Sequence, residues 1–207
     1  MALDGTYSGL SASVASWMNR TDLAAVIPDF VTIVESRIAR DLRLRNQIVT
    51  SNLSATGGVQ TVALPADWLE FENLTVTLTG TADTPLQYLT IEQMDAKYPN
   101  GGSTGRPFVY TIEGPNILLG TPPDLAYTIG VLYYARFPSL VTAATNWLMV
   151  NFPNVYLYGA MREAALFTMN DERAGHWDAL YTKTVKDVQD IDDQAAHSGS
   201  ALRVKFL

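Results

Sequence analysis

The chain has 207 residues, of which 47% are hydrophobic and 17% charged, a balance typical of a packed globular protein rather than a disordered one. Its 14 basic and 21 acidic side chains give a net charge of −7, which argues against tight binding of nucleic acid through its phosphates. Cysteine is absent, so disulfides, thiolate nucleophiles and Cys-ligated metals are excluded. Neither a signal-peptide pattern nor a long apolar run occurs, and we expect a cytosolically made protein without a membrane segment.

The N-terminal part of the chain predicts helices. Apolar residues recur at helical spacing between Leu10 and Met18, which predicts a short first helix. Pro28 then introduces a kink or a restart, because its ring is tolerated only in the first turn of a helix. Beyond it the apolar spacing runs from Phe30 to Leu42 and predicts a second helix that ends at about Leu44.

The middle of the chain, residues 46–144, predicts an inserted β unit. It contains runs with period-two alternation, or with aromatic and β-branched residues, at positions 74–78, 108–112, 117–119 and 127–134. The sequence Glu113–Asn116 between two of these runs contains Gly and Pro and predicts a β-hairpin. The spacing of the strands and turns favours a small antiparallel sandwich or barrel-like unit.

The C-terminal part returns to helical spacing. Pro153 opens a predicted helix that runs to Met169 and is apolar on nearly every side, which indicates a buried central helix. An amphipathic helix follows from Asn170–Asp171 to about residue 197. The predicted fold class is therefore α+β. Its parts are a helical bundle of residues 1–45 and 145–197, the β insertion 46–144, and an extended C-terminal arm 198–207.

Three charged residues lie on apolar helical surfaces, where an unpaired charge would be costly. Arg37 and Asp41 are one turn apart on the second helix, and Glu163 interrupts the central helix. One interpretation is a buried Arg37–Glu163 pair that joins the two halves of the bundle. The other is an i,i+4 pair of Arg37 with Asp41 at the rim of the bundle.

Candidate catalytic groups are few. Asp67, Glu70 and Glu72 could resemble the paired carboxylates of a glycosidase, but acidic turns are far commoner than such sites. His176 and His197 lack the spacing of metal ligands and have no accompanying nucleophile motif. The glycine-rich loop 100–106 lacks the lysine of a phosphate-binding loop and leads into a proline. We therefore predict no catalytic residue, metal or cofactor.

The last residues form a separate feature. After Ser198–Ser200, apolar and basic side chains alternate through Leu202, Arg203, Val204, Lys205, Phe206 and Leu207. Disorder is common at chain ends, and it is one interpretation of this segment. The other is a docking arm that adds a strand to an exposed sheet edge of another chain, where backbone hydrogen bonds bind and alternate side chains select.

Seven segments in order, together with the C-terminal segment, resemble the bacteriophage head-to-tail adaptor, or connector, proteins. These segments are Ile27–Phe30, Glu35–Arg43, Leu64–Trp68, Tyr110–Gly114, Tyr133–Arg136, Thr145–Leu148, Glu163–Phe167 and finally Ser200–Val204. Each segment alone is a weak signal, but their order and spacing extend the resemblance over nearly the whole chain.

The resemblance implies a structural protein of the virion neck, made in the host bacterial cytoplasm. It implies a homo-oligomeric ring, typically a dodecamer, beneath the portal protein, with a tail or nozzle protein on its other side. DNA would pass through the channel without specific binding, which suits the acidic composition. Residues 202–207 of the C-terminal arm would then bind the portal. The alternative from another class is a phage-associated cell-wall glycan hydrolase that uses carboxylates of the β unit.

Overall fold

The computed structural model describes residues 3–78, 81–99 and 103–197. These residues form helices and two β sheets, which confirms the α+β class. The chain divides into two compact units. We call them the helical unit, which comprises the chain up to Asn46 and from Phe137 onward, and the β unit, Gln47–Arg136.

The helices carry most of the helical unit, and one of them lies in the β unit. In chain order they are α1 (Tyr7–Met18), α2 (Ile27–Asp41), α3 (Ile91–Lys97), α4 (Leu140–Ala143), α5 (Trp147–Asn151), α6 (Pro153–Phe167) and α7 (Asp171–His197). Helix α3 belongs to the β unit and begins with a capping box, in which Thr90 and Gln93 satisfy each other's backbone N–H groups.

Local sequence explains the ends of the main helices. Thr6 caps α1, because its hydroxyl accepts a hydrogen bond from the Gly9 N–H at 3.1 Å. Pro28 lies in the first turn of α2, where its missing N–H costs nothing. The prediction that this helix extends to about Leu44 was too long, because Leu42 already has an extended backbone with φ of −113°. At the start of α7, Asn170 Oδ1 accepts from the Arg173 N–H at 3.2 Å.

The core of the helical unit lies where α2, α6 and α7 meet. Buried side chains from α1 and from the segment between Phe137 and Phe152 complete it, and its members include Leu10, Val14, Val31, Val34, Ile38, Leu140, Leu148, Tyr156, Ala160 and Tyr181. Gly159 allows the closest approach of α6 to α2. A Cβ atom added at Gly159 would lie 2.7 Å from Val34 Cγ1, so the packing requires glycine there.

In the described residues of the β unit, eight strands form two four-stranded sheets. They are β1 (Ile48–Ala55), β2 (Thr61–Ala63), β3 (Trp68–Thr77), β4 (Thr84–Pro85), β5 (Gln87–Tyr88), β6 (Val109–Glu113), β7 (Asn116–Leu119) and β8 (Tyr127–Ala135). The first sheet has the order β1-β8-β3-β4 and the second β2-β7-β6-β5. Apolar residues of both sheets belong to one core cluster, among them Leu74, Val76, Ile117, Leu119, Ile129 and Val131.

The predicted hairpin is present, and one strand pairing differs from the prediction. Strands β6 and β7 are antiparallel with Glu113 opposite Asn116, and Gly114 at the turn has φ of +56°, which glycine adopts without strain. Strand β5 pairs with β6 in parallel, so the β unit is not wholly antiparallel as expected. The crossover that a parallel pair needs contains α3.

The observed boundary between the units differs from the expected one at its C-terminal side. Residues 137–144, which the sequence placed in the β insertion, belong to the helical unit. Leu140 starts α4, is fully buried in the helical core, and donates its N–H to Glu35 Oε1 at 2.6 Å. The segment is too short for sequence periodicity to identify as helix. The predicted arm, residues 198–207, lies outside the described residues.

Candidate functional site

Arg37 is the centre of a charged cluster between helices α2, α6 and α7. Its Nη2 donates to Asp178 Oδ1 on α7 at 2.7 Å, and its Nη1 lies 3.6 Å from Glu163 Oε1 on α6. In the described part of the chain Nη1 has no hydrogen-bond partner, so its contact with Glu163 is an ion pair without a hydrogen bond. The structure therefore places the side chains of Arg37 and Glu163 together.

A second guanidinium completes the cluster. Arg162 Nη1 donates to Glu163 Oε1, and Arg162 Nε lies 2.9 Å from Asp178 Oδ1. Each carboxylate thus contacts both guanidinium groups, and the four charges sum to zero. Glu163 is only 9% exposed at its side chain and Arg37 15%, whereas Asp178 is 43% exposed and reaches solvent.

Tyr181 forms the apolar side of this cluster. The Arg37 guanidinium carbon lies 4.5 Å from the centre of the Tyr181 ring, a cation–π contact. Tyr181 is 2% exposed, and this burial raises the pKa of its phenol above the ordinary value. The ring therefore stays neutral at physiological pH and presents its face to the cation.

The arrangement links α2 to two helices, α6 and α7, that lie far from it in sequence. Arg37 lies on α2, Arg162 and Glu163 lie on α6, and Asp178 lies on α7. Removing one partner from such a buried network leaves an uncompensated charge in a poorly solvated site. All four groups are held by each other, so the chemistry of the cluster is that of a structural clamp.

Asp41 has a different partner from the one that the i,i+4 interpretation of the sequence predicts. Asp41 Oδ1 accepts from Arg40 Nε at 2.9 Å, at a more exposed position near the end of α2. Arg37 points instead to α6 and α7. Lateral packing against other helices thus determines the partners of Arg37, rather than i,i+4 spacing within α2.

Sequence reasoning missed Asp178 and Arg162 as members of the cluster. Asp178 precedes Tyr181 by three residues on α7, which places the two side chains on one helical face. An acid on the face of a helix that also carries Trp177 and Tyr181 was the available signal. The spacing of apolar residues does not tell how α7 is turned about its axis relative to α2. It could therefore not identify Arg37 as the partner of Asp178.

The candidate carboxylates of the β unit differ in their surroundings. Asp67 Oδ1 accepts from the Tyr133 hydroxyl at 3.0 Å, and the Asp67 carbonyl accepts from the Arg136 N–H. Glu70 and Glu72 follow on β3, where both are exposed. In the described residues no group of three or more His, Asp or Glu side chains has the arrangement of a metal site.

The other candidates have local structural contacts. His176 is exposed and lies edge-on to Trp177, with ring centres 5.6 Å apart. His197 is the last residue of α7. Residues 100–102 of the glycine-rich loop lie outside the described residues, while Arg106 at its end donates to Thr84 Oγ1 at 2.8 Å and to the Val76 carbonyl. Arg106 thus connects to β3 and β4.

The residues of the predicted arm, Leu202, Arg203, Val204, Lys205, Phe206 and Leu207, all lie outside the described residues. Among the helices that the structure describes, none has both the length and the apolar character needed to cross a membrane.

Comparison with known families identifies the class of the protein. Residues 5–205 match the family model of the SU10 adaptor protein, so the chain belongs to this family of phage head-to-tail adaptors. A search of curated proteins gives no significant match. Membership supports a structural adaptor role in a phage particle, and the match covers both the helical unit and the β unit.

Proposed function

We propose that the protein forms a ring beneath the portal, extends the DNA channel and provides the platform to which the tail attaches. The family match over residues 5–205 carries this proposal. A ring needs subunits that keep their shape under load, and the buried clamp of Arg37, Arg162, Glu163 and Asp178 supports such rigidity in each subunit. The expected ring is a dodecamer, with the portal on one side and a tail or nozzle protein on the other.

The charge of the chain suits a channel that DNA must pass without sticking. Each chain carries a net charge of −7. A ring of twelve copies would carry about 84 negative charges, and any part that faces the channel would repel the phosphates. The β unit contains eight of the acidic and three of the basic residues of the chain, so it is the more acidic part.

We propose a structural role without catalysis. The carboxylates that could have served a glycan hydrolase are separated in their contacts, because Asp67 binds the Tyr133 hydroxyl while Glu70 and Glu72 lie exposed along β3. Glycosidases place two carboxyl groups on either side of one bond in a cleft.

We propose that residues 202–207 of the C-terminal arm attach the ring to the portal. Their alternation of apolar and basic side chains suits an added strand that buries one face and exposes the other. In the sequence, Ser198–Ser200 separate these residues from α7.

The test is attachment of purified protein to tailless, portal-bearing heads. The full-length chain should sediment with the heads at about twelve copies per portal, as expected for a closed ring. Val204→Pro should weaken attachment strongly, because proline removes a backbone donor from the added strand. Ala196→Ser, at the exposed end of α7, is the control.

Two outcomes would overturn these proposals. Failure of the full-length protein to bind heads, together with a monomeric mass in every condition, would exclude the ring beneath the portal. Binding of Val204→Pro at wild-type occupancy would exclude the arm as the portal attachment while leaving the ring proposal intact.

A further inference from the structure

Strand β1 is an edge strand of the first sheet. Its eight residues, Ile48–Ala55, pair with β8 in a continuous antiparallel register. Strand β1 stands first in the strand order of its sheet, and in the described part of the chain no strand pairs with its other side. The backbone groups on that side therefore form a template for a further strand.

The other sheet edges lack this character. Strand β4 has two residues and ends in Pro85, β5 has two residues, and β2 has three. Short edges and proline prevent the addition of strands from other chains. Strand β1 is long and carries neither proline nor a charged residue, and its pairing with β8 shows no bulge. Among the edges that the structure describes, β1 is the one without these protective features.

The side chains of β1 define the pattern of the strand that would fit. Val49 lies opposite Tyr133 and Leu53 opposite Ile129, so both share the face that points to the β core. Val49 remains 40% exposed at the edge of that core. On the other face Thr50, Asn52 and Ser54 are exposed and polar. An added strand should therefore carry apolar residues at alternate positions and polar or basic residues between them.

We infer that the β1 edge of one copy receives the C-terminal segment, residues 201–207, of a second copy. The segment has Leu202, Val204 and Phe206 in one alternating set and Arg203 and Lys205 in the other, as the edge requires. Its seven residues match the eight of β1 in length. Its two positive charges complement the β unit, which has eight acidic and three basic residues.

This pairing goes beyond the proposed function, because it needs no portal. It is a heterologous contact, in which the donor surface and the acceptor surface differ, and such contacts generate rings or chains of subunits. One segment can occupy a single acceptor, so attachment of the arm to a portal would withdraw it from β1. Contacts between subunits through β1 would then belong to the free protein.

Disulfide trapping tests the pairing directly, because the natural chain has no cysteine. Pairs of single-cysteine full-length variants are mixed and oxidised, so that each disulfide must join two chains. Cross-strand neighbours on one face of a sheet have Cβ atoms about 4.5–5.5 Å apart, close enough for a bond after small adjustment. Cysteine is placed at Thr50, Asn52 or Ser54 in one chain and at Arg203 in the other.

The expected result is a dimer for at least one of these pairs, and for Val49→Cys with Val204→Cys, which share the core face. The matched control is Val49→Cys with Arg203→Cys, which lie on opposite faces of the paired strands and should give only background cross-linking. Glu92→Cys, exposed on α3, with Arg203→Cys measures random collisions. A second substitution, Val204→Pro, in the Arg203→Cys chain should abolish the specific product.

A second measurement distinguishes the possible donors. If Thr50→Cys and Arg203→Cys cross-link only when both are in one chain, the segment folds back on its own subunit, and the inference is overturned. Equal cross-linking at Val49, Thr50 and Glu92 would show that no strand is added, and would also overturn it. Attachment to heads is measured separately, so failure of this pairing and failure of the portal proposal are distinguishable.

Discussion

Arg37 on α2 and Glu163 on α6 lie 3.6 Å apart although 125 residues separate them in sequence. The pair joins the two parts of the helical unit that the β unit separates in sequence, since α2 precedes the insertion and α6 follows it. Because both side chains are largely buried, the contact joins two distant parts of the chain at a site where water screens charge poorly.

Loss of Glu163 should destabilise the helical unit more than an ordinary surface substitution. Glu163→Ala should lower the free energy of unfolding by about 3–5 kcal/mol, because it leaves two guanidinium groups with one shared carboxylate. Urea unfolding monitored by tryptophan fluorescence measures the change. Glu163→Gln keeps the shape and should show how much of the loss comes from charge.

A double-mutant cycle measures the coupling of the two residues. Replacing both Arg37 and Glu163 by apolar residues of similar size should cost less than Glu163→Ala, because no buried charge is then left alone. Additive effects of the single substitutions would contradict the pairing. Arg40→Ala, an exposed position on the same helix, is the control and should change the stability little.

Burial of two tyrosines predicts a loss of stability in alkali. The pKa values of Tyr156 and Tyr181 lie above the ordinary value of 10.0, chiefly because burial disfavours the phenolate. In the unfolded chain both phenols ionise as the pH rises through about 10, whereas in the folded chain they stay protonated. These two phenols therefore leave the free energy of unfolding unchanged below that pH and lower it above that pH.

Unfolding by urea between pH 8 and pH 11 checks this dependence. Tyr181→Phe should flatten the decline, because phenylalanine does not ionise. Tyr88→Phe removes a phenol that is 54% exposed and serves as the control for the general effect of losing a tyrosine. The same slope in the wild type and in Tyr181→Phe would contradict the assigned burial effect.

The elements with strong local signals could be predicted from sequence. Pro28 and Pro153 mark the first turns of α2 and α6, and Glu113–Asn116 forms the predicted hairpin turn. Strand β1 was missed, because Thr50, Ser51, Asn52 and Ser54 dilute the alternation by which half-buried strands are recognised. Its pairing with β8 brings together segments that lie far apart in sequence, and local patterns do not encode such pairing.

The charged cluster was predictable only in part. Arg37 and Glu163 were conspicuous because each interrupts an apolar helical surface. Asp178 was not, because it lies on an amphipathic helix rich in acids, where most carboxylates face solvent. The parallel pairing of β5 with β6 could not be predicted from the sequence either, because a strand of two residues shows no periodicity.

The acidic composition predicts weak interaction with DNA. The purified protein should show no retention of duplex DNA in a mobility-shift assay at physiological salt, because no excess of basic residues is available to neutralise phosphates. The assay is repeated at low salt, where any electrostatic binding would be strengthened. Tight binding that falls steeply with salt would contradict a channel through which DNA slides freely.

Two glycines on neighbouring helices provide a matched test of the packing in the helical unit. Gly159→Ala on α6 would bring the new Cβ within 2.7 Å of Val34 Cγ1 and 2.8 Å of Val34 Cγ2, inside the closest normal contact. Because β-branched Val34 is fully buried and cannot turn away, we expect a loss of about 1–3 kcal/mol. Gly175→Ala on α7 meets no atom within 4 Å, so better helix propensity should stabilise the protein by about 0.5–1 kcal/mol.

Thermal and urea unfolding of both variants should give changes of opposite sign. A stabilised Gly159→Ala would show that α2 and α6 are not packed as closely as described, and relief by the double variant Gly159→Ala/Val34→Ala would locate the clash at this contact.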